Sequence, residues 1–165
     1  MGCLMDISDT ADHVLIVQDD AQPVANFVPA LEQVAERYPD HPVCLFMGAY
    51  PASTAALARR KWGKVRYVTL GPTTFVPLVA VLWPKRKAEH FLWWAEKASG
   101  MTRADDGNAA KWAKATKQVF YVCVPSLVEH NDYVPSVKGG RDHVPGAEDW
   151  RRALFLADDG LAYDW

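Results

Sequence analysis

The segment His13–Pro23, "HVLIVQDDAQP", runs four apolar β-formers straight into two adjacent carboxylates, Asp19 and Asp20, and closes on a proline. A continuous apolar run of strand length, bounded by turn residues, reads as a buried strand whose end is polar. After it, "NFVPALEQVAERYPDH" places Phe27, Leu31, Val34, Ala35 and Tyr38 at helical spacing, and Pro39 stops that helix. "VCLFMG" is the next strand, and "STAALARRKWG" a short helix with Ser53 as its cap and Gly63 just past its end. "KVRYVTLG" and "FVPLVAVLWP" follow as strands, the second starting at an edge or as a loop because of Pro77. Pro84 then suits the first turn of the helix "KRKAEHFLWWAEKASG", in which Ala88, Phe91, Leu92 and Ala95 form one face. A helix "DDGNAAKWAKATKQ" leads to the strand "VFYVCVP". Strands alternating with helices predict an α/β domain with a mainly parallel sheet flanked by helices, over residues 1–135. Residues 136–165 are rich in Pro, Gly and charge and read as an irregular C-terminal tail with one helical turn near "EDWRRALF".

The 165 residues, half of them hydrophobic, suffice for one core, and no repeat or low-complexity tract is present. A formal net charge of -2 with scattered charges gives no basic face for long tracts of nucleic acid, but leaves room for a small phosphate-bearing ligand. Three cysteines, Cys3, Cys44 and Cys123, are too few for a disulfide framework, which points to a reducing, cytoplasmic setting. No segment has the length and apolarity of a membrane span, so no membrane partner is expected.

In an α/β sheet, ligands gather outside the carboxyl ends of the strands, where Asp19 and Asp20 fall. On an extended chain Gln18 and Asp20 share a direction while Asp19 points the other way. A carboxylate there is a hard oxygen ligand suited to Mn²⁺ or Mg²⁺, whose shell substrate phosphates and waters commonly complete. The competing reading is a plain turn in which the aspartates accept backbone N–H bonds. "LIVQDDA" also resembles the opening of a response-regulator receiver domain, but the strand "VRYVTLG" lacks the phosphoacceptor aspartate that such a domain needs at its end.

Three quoted stretches taken in order point elsewhere. "HVLIVQDDA" resembles the Asp-x-Asp signature of GT-A type nucleotide-sugar glycosyltransferases, in the variant where a strand ends in Glu-Asp-Asp or Gln-Asp-Asp. "GPTTFVPLVAVLWPKRKAEHFLWW" is similar to the donor-site loop and following helix of such enzymes, in particular small bacteriophage-encoded ones. "ADDGNAAKWAKATKQVFYVCVPSLVEHND" is similar to their acidic helix start and to a strand ending in P-S-L-V-x-H. The resemblance covers residues 13–132 and implies a GT-A-like (Rossmann-like) fold that moves a sugar from a nucleotide-sugar donor to an acceptor hydroxyl. It implies that Asp20 and His130 bind the Mn²⁺ or Mg²⁺ on the donor diphosphate, with Gln18 and Asp19 contacting donor or ribose. One of Asp105 and Asp106 would be the general base on the acceptor, the other a helix cap. Without the resemblance, His130 reads as an ordinary loop histidine and both aspartates as caps.

Only 12 residues precede His13. The resemblance therefore implies that the family's N-terminal nucleotide-binding portion is missing here, so that little activity is expected without an upstream-encoded partner chain or self-association. The acceptor is left open among protein, glycan and modified DNA base. The alternative is a non-enzymatic interaction module using a degenerate glycosyltransferase domain, which needs neither Asp20 nor a metal.

Overall fold

The computed structural model describes residues 8–49, 52–71, 76–97, 105–130 and 152–165. The first strand, β1, spans His13–Val17, and a three-residue strand β2 follows at Ala21–Pro23. Helix α1 (Phe27–Arg37) buries Ala30 and Val34 at i, i+4 spacing, with Phe27, Leu31 and Ala35 partly buried around them. It ends at Tyr38, whose N–H bonds back to Val34 just before Pro39 forbids another turn. Strand β3 (Val43–Cys44), α2 (Ala52–Lys61), β4 (Tyr67–Leu70) and β5 (Ala80–Pro84) follow. Next come α3 (Lys85–Lys97), α4 (Asp105–Thr116), β6 (Phe120–Cys123) and β7 (Val128–His130). In α3 the paired tryptophans divide: Trp94 packs on the core and Trp93 is 58% exposed.

Five strands form one sheet in the order β1-β5-β3-β6-β4, and β2 and β7 form a separate antiparallel pair. The fold is mixed α/β, but the expected mainly parallel sheet is not what the chain builds. Among the described strands of this sheet only β3 and β6 pair in parallel; β1–β5, β5–β3 and β6–β4 are all antiparallel. The reason lies in what a helical connection leaves open. A connecting helix does not by itself fix relative direction: β1 and β3, joined through α1, point the same way, whereas β3 and β4, joined through α2, point opposite ways. β5 returns in the opposite direction and inserts between β1 and β3, converting one parallel contact into two antiparallel ones.

Two apolar layers cover the sheet. On one face Val14 and Ile16 of β1, Trp83 of β5 and Phe120 of β6 pack with Phe91 of α3 and Ala109, Trp112 and Ala113 of α4. Trp83 is fully buried, its ring 5.3 Å from Phe91, 5.5 Å from Trp112 and 5.2 Å from Phe120, centroid to centroid. On the other face Leu15, Leu82 and Leu127 meet Ala30 and Val34 of α1, together with Ala157 and Trp165.

The last two members of that layer come from 152–165, the described part of the stretch 136–165 that the sequence presents as an irregular tail. Residues 152–165 carry little regular structure, a single 3₁₀ turn at Gly160–Ala162, yet they are part of the core. Ala153 bridges Gly48, Leu156 bridges Ser126 and Asp159 bridges Ala25, and Trp165 is 3% exposed. The Pro, Gly and charge that suggest a tail lie mostly in 131–150, outside the described residues. The helical turn expected near "EDWRRALF" falls partly there; among the described residues the turn comes about ten positions later, at Gly160–Ala162.

Candidate functional site

The three strands that share a direction also share an end. Just past the carboxyl ends of β1, β3 and β6, three short segments meet: the turn Gln18–Ala21 into β2, the stretch Leu45–Gly48, and Val124–Leu127 into β7. They are tied together mainly by backbone bonds. Leu127 N–H donates to Leu45 O at 2.8 Å, and Val24 N–H to Leu127 O at 3.1 Å. Ser126, fully buried, accepts the Met47 N–H on its hydroxyl at 2.9 Å. Its own N–H donates to Phe155 O, and its carbonyl accepts from Ala157 N–H, so the C-terminal segment is stitched to the same place.

Asp20 and His130, 110 positions apart, are brought into contact here. The ladder of β2 with β7 sets Ala21 opposite His130, which places the preceding residue, Asp20, beside the imidazole. His130 Nε2 lies 3.2 Å from Asp20 Oδ2, with the two side chains 13% and 15% exposed. The other carboxylate oxygen, Asp20 Oδ1, is buried and has no hydrogen-bond partner among the described residues. A buried acceptor left unpaired costs about 1–3 kcal/mol, more when it is charged. The ring of His130 also stands 6.2 Å from that of Phe46, so one wall of the site is apolar.

The turn itself differs from the extended geometry expected of it. β1 ends at Val17, and Ala21 N–H bonds to Gln18 O at 3.1 Å, making Asp19 and Asp20 the two central residues of a tight turn. Alternation along a strand therefore does not decide where Gln18 and Asp20 point. Gln18 and Asp19 are exposed and Asp20 is half-buried. The turn reading holds for the backbone, yet Asp20 Oδ2 is directed to a histidine and Oδ1 to no partner among the described residues, so this carboxylate is not a turn cap.

Asp105 and Asp106 do begin a helix, α4. Asp106 Oδ1 accepts the Gly107 N–H at 2.7 Å, a local bond at the helix start, and no hydrogen bond or ion pair joins Asp106 to Asp20. The side chain of Asp105 lies outside the described residues. α4 reaches the sheet through Ala109, Trp112 and Ala113 on the face that carries Val14 and Ile16, with Trp112 Nε1 donating to His90 Nδ1 at 3.1 Å.

Two residues that the sequence reading did not single out help build the site. Glu129 Oε1 accepts from the N–H of His130 at 2.9 Å and of Ala153 at 2.7 Å, pinning β7 to the C-terminal segment. Ser126 does the same toward Met47. Their signal was present in "VPSLVEH": a serine and a glutamate inside an otherwise apolar run must find partners when buried.

A carboxylate oxygen and an imidazole nitrogen at this separation suit one cation. Two neighbouring ligands of an octahedral ion, each ~2.1 Å from it, lie about 3.0 Å apart, close to the observed 3.2 Å. No group of three or more His, Cys, Asp or Glu side chains that could hold a metal occurs among the described residues, so protein ligands alone would fill only part of a shell. Comparisons of the chain with protein-family models, with curated proteins and with solved structures found no match.

Proposed function

We propose that the chain is a glycosyltransferase-like protein, using Asp20 and His130 to hold Mn²⁺ or Mg²⁺ on the diphosphate of a nucleotide-sugar donor. The observation that carries the reading is the Asp20 carboxylate, whose Oδ2 lies 3.2 Å from His130 Nε2 while its Oδ1 is buried without a partner among the described residues. A partly buried carboxylate with half of its acceptor capacity unused is stabilised by a cation, and a two-residue protein contribution leaves room for phosphate oxygens and water. The position, outside the carboxyl ends of three co-directional strands, is where open α/β sheets commonly bind ligands. A metal held there would neutralise charge developing on a departing nucleoside diphosphate. Asp20 would supply negative charge, and His130 a neutral lone pair once Nε2 has given up any proton. Gln18 and Asp19, both exposed, would meet the donor beside the ion. Asp105 and Asp106 are assigned to the acceptor as general base and helix cap, on the resemblance alone.

The non-enzymatic alternative is favoured by a different observation. Asp20 and His130 close the β2–β7 ladder, and a carboxylate–imidazole contact there would serve as a clasp with no metal at all. The two readings separate on titration of UDP-, GDP- and TDP-sugars with and without Mn²⁺. Weak donor binding that appears only with Mn²⁺ and is lost in Asp20→Asn supports the donor site. Absence of Mn²⁺-dependent binding for all three donors leaves the clasp.

A further inference from the structure

At the opposite edge of the five-stranded sheet from β1 lies a second cleft, of about 490 Å³. With neighbouring strands ~4.8 Å apart, the four steps from β1 to β4 put it roughly 19 Å from the strand that leads to Asp20. Its lining brings Arg37, Lys64 and Arg66 together with a single acid, Asp164.

The three cations come from three places, each with a local cause. Arg37 closes the last turn of α1. Lys64 follows Gly63, whose φ of 73° turns the chain out of α2, and Lys64 N–H bonds to Lys61 O at 3.0 Å. Arg66 is fixed through its backbone, which accepts from Val124 N–H at 2.7 Å, and its guanidinium lies 4.7 Å from the centroid of the Tyr163 ring. Stacking occupies the face of a guanidinium and leaves its in-plane N–H donors for an anion. Among the described residues none of the three cations is in an ion pair. Charged side chains gathered around a cleft with one carboxylate between them leave an excess of two positive charges. The wall behind them adds a second unmet demand, since the Tyr67 hydroxyl is buried with no hydrogen-bond partner among the described residues.

We infer that this cleft binds a diphosphate-type anion, with Arg37, Lys64 and Arg66 as its donors. A doubly charged or more highly charged group matches the excess of two, and arginine forks pair bidentately with the oxygens of a phosphate group. The site is separate from the Asp20–His130 pair and needs no metal.

The test uses inorganic pyrophosphate and the full chain in EDTA at low salt, with binding read by calorimetry. Pyrophosphate binding should weaken at least about tenfold in Lys64→Gln/Arg66→Gln, because charge-assisted bonds are the strong ones in such a site. It should tighten in Asp164→Asn, a gain that misfolding does not produce. Asp20→Asn should leave it unchanged, so failure here and failure of the donor-site reading are told apart. Absence of binding by the wild type, or affinity indifferent to both the cation pair and Asp164, would overturn the assignment.

Discussion

Replacing Gly160 by alanine probes how the C-terminal segment is held. A Cβ at this position would stand 2.6 Å from the Asn26 carbonyl oxygen, 2.9 Å from Ala30 Cβ and 3.0 Å from the Asn26 carbonyl carbon. Two of these atoms are backbone at the start of α1, so no flexible side chain can swing aside. The segment must lift by several tenths of an ångström. That movement strains the Gly160 N–H bond to Ala25 O, at 2.8 Å, and the bond from Trp165 Nε1 to Gly160 O. It also loosens the side-chain bond of Asn26 to Asp159, at 2.9 Å. Overpacking of this kind typically costs about 1–3 kcal/mol. At this chain length each kcal/mol lowers Tm by about 2–4 °C. Urea unfolding of Gly160→Ala should show that loss, and hydrogen exchange should show amides of 153–162 protected in the wild type and faster in the variant. Unchanged stability together with fast exchange of this segment in the wild type would refute the packing described for it.

Further outcomes follow from single contacts. Ser126→Ala leaves the buried Met47 N–H without an acceptor, and should cost about 1–3 kcal/mol in urea unfolding. Burial holds the Cys44 and Cys123 thiols well above their ordinary value, and the Tyr67 phenol likewise, all three chiefly through desolvation. Groups whose pKa is higher folded than unfolded leave stability intact below about pH 9 and remove it as the pH rises further, since only the unfolded chain ionises readily there. Unfolding free energy should therefore fall above that pH, and a thiol reagent should label Cys44 and Cys123 only as the chain unfolds; rapid labelling of either of these two, read by peptide mapping of the native chain at pH 8, would count against the burial. Strand β1 is at the sheet edge, bears no charge or proline, and leaves Val17 42% exposed, so sedimentation should detect concentration-dependent association that Val17→Lys reduces. A monodisperse wild-type monomer at high concentration would contradict this.

How much could be read in advance depended on whether the cause was local. The helix faces follow from spacing, and the positions of Val34 in α1 or of Ala88 and Ala95 in α3 were legible because periodicity is a property of the segment itself, whereas the fully buried Ala30 was not in the expected face. Strand adjacency is not local. Nothing in "AVLWP" states that it will insert between β1 and β3, so the sheet's mixed directions were hidden. The small strands β2 and β7 were invisible for another reason: three residues around Gln22 and Glu129 carry no pattern until each has the other as partner. Asp20 stood out by its place after an apolar run, and His130 by the motif around it, but only the β2–β7 ladder explains their contact. The docking of 152–165 was concealed by composition, because its anchors are a few isolated residues, Ala157, Gly160 and Trp165, rather than a periodic face.

The most direct test of the donor-site account is Mn²⁺ binding by the wild-type chain, followed by electron paramagnetic resonance in the presence of a nucleoside diphosphate. The account predicts that bound Mn²⁺ rises with the wild type, falls in Asp20→Asn and His130→Gln, and shows nitrogen coupling that the His130 variant loses. Because Oδ1 of Asp20 has no partner to lose among the described residues, Asp20→Asn should stay folded while binding disappears. Mn²⁺ binding that is equal in all three proteins, or absent from the wild type under these conditions, would contradict it.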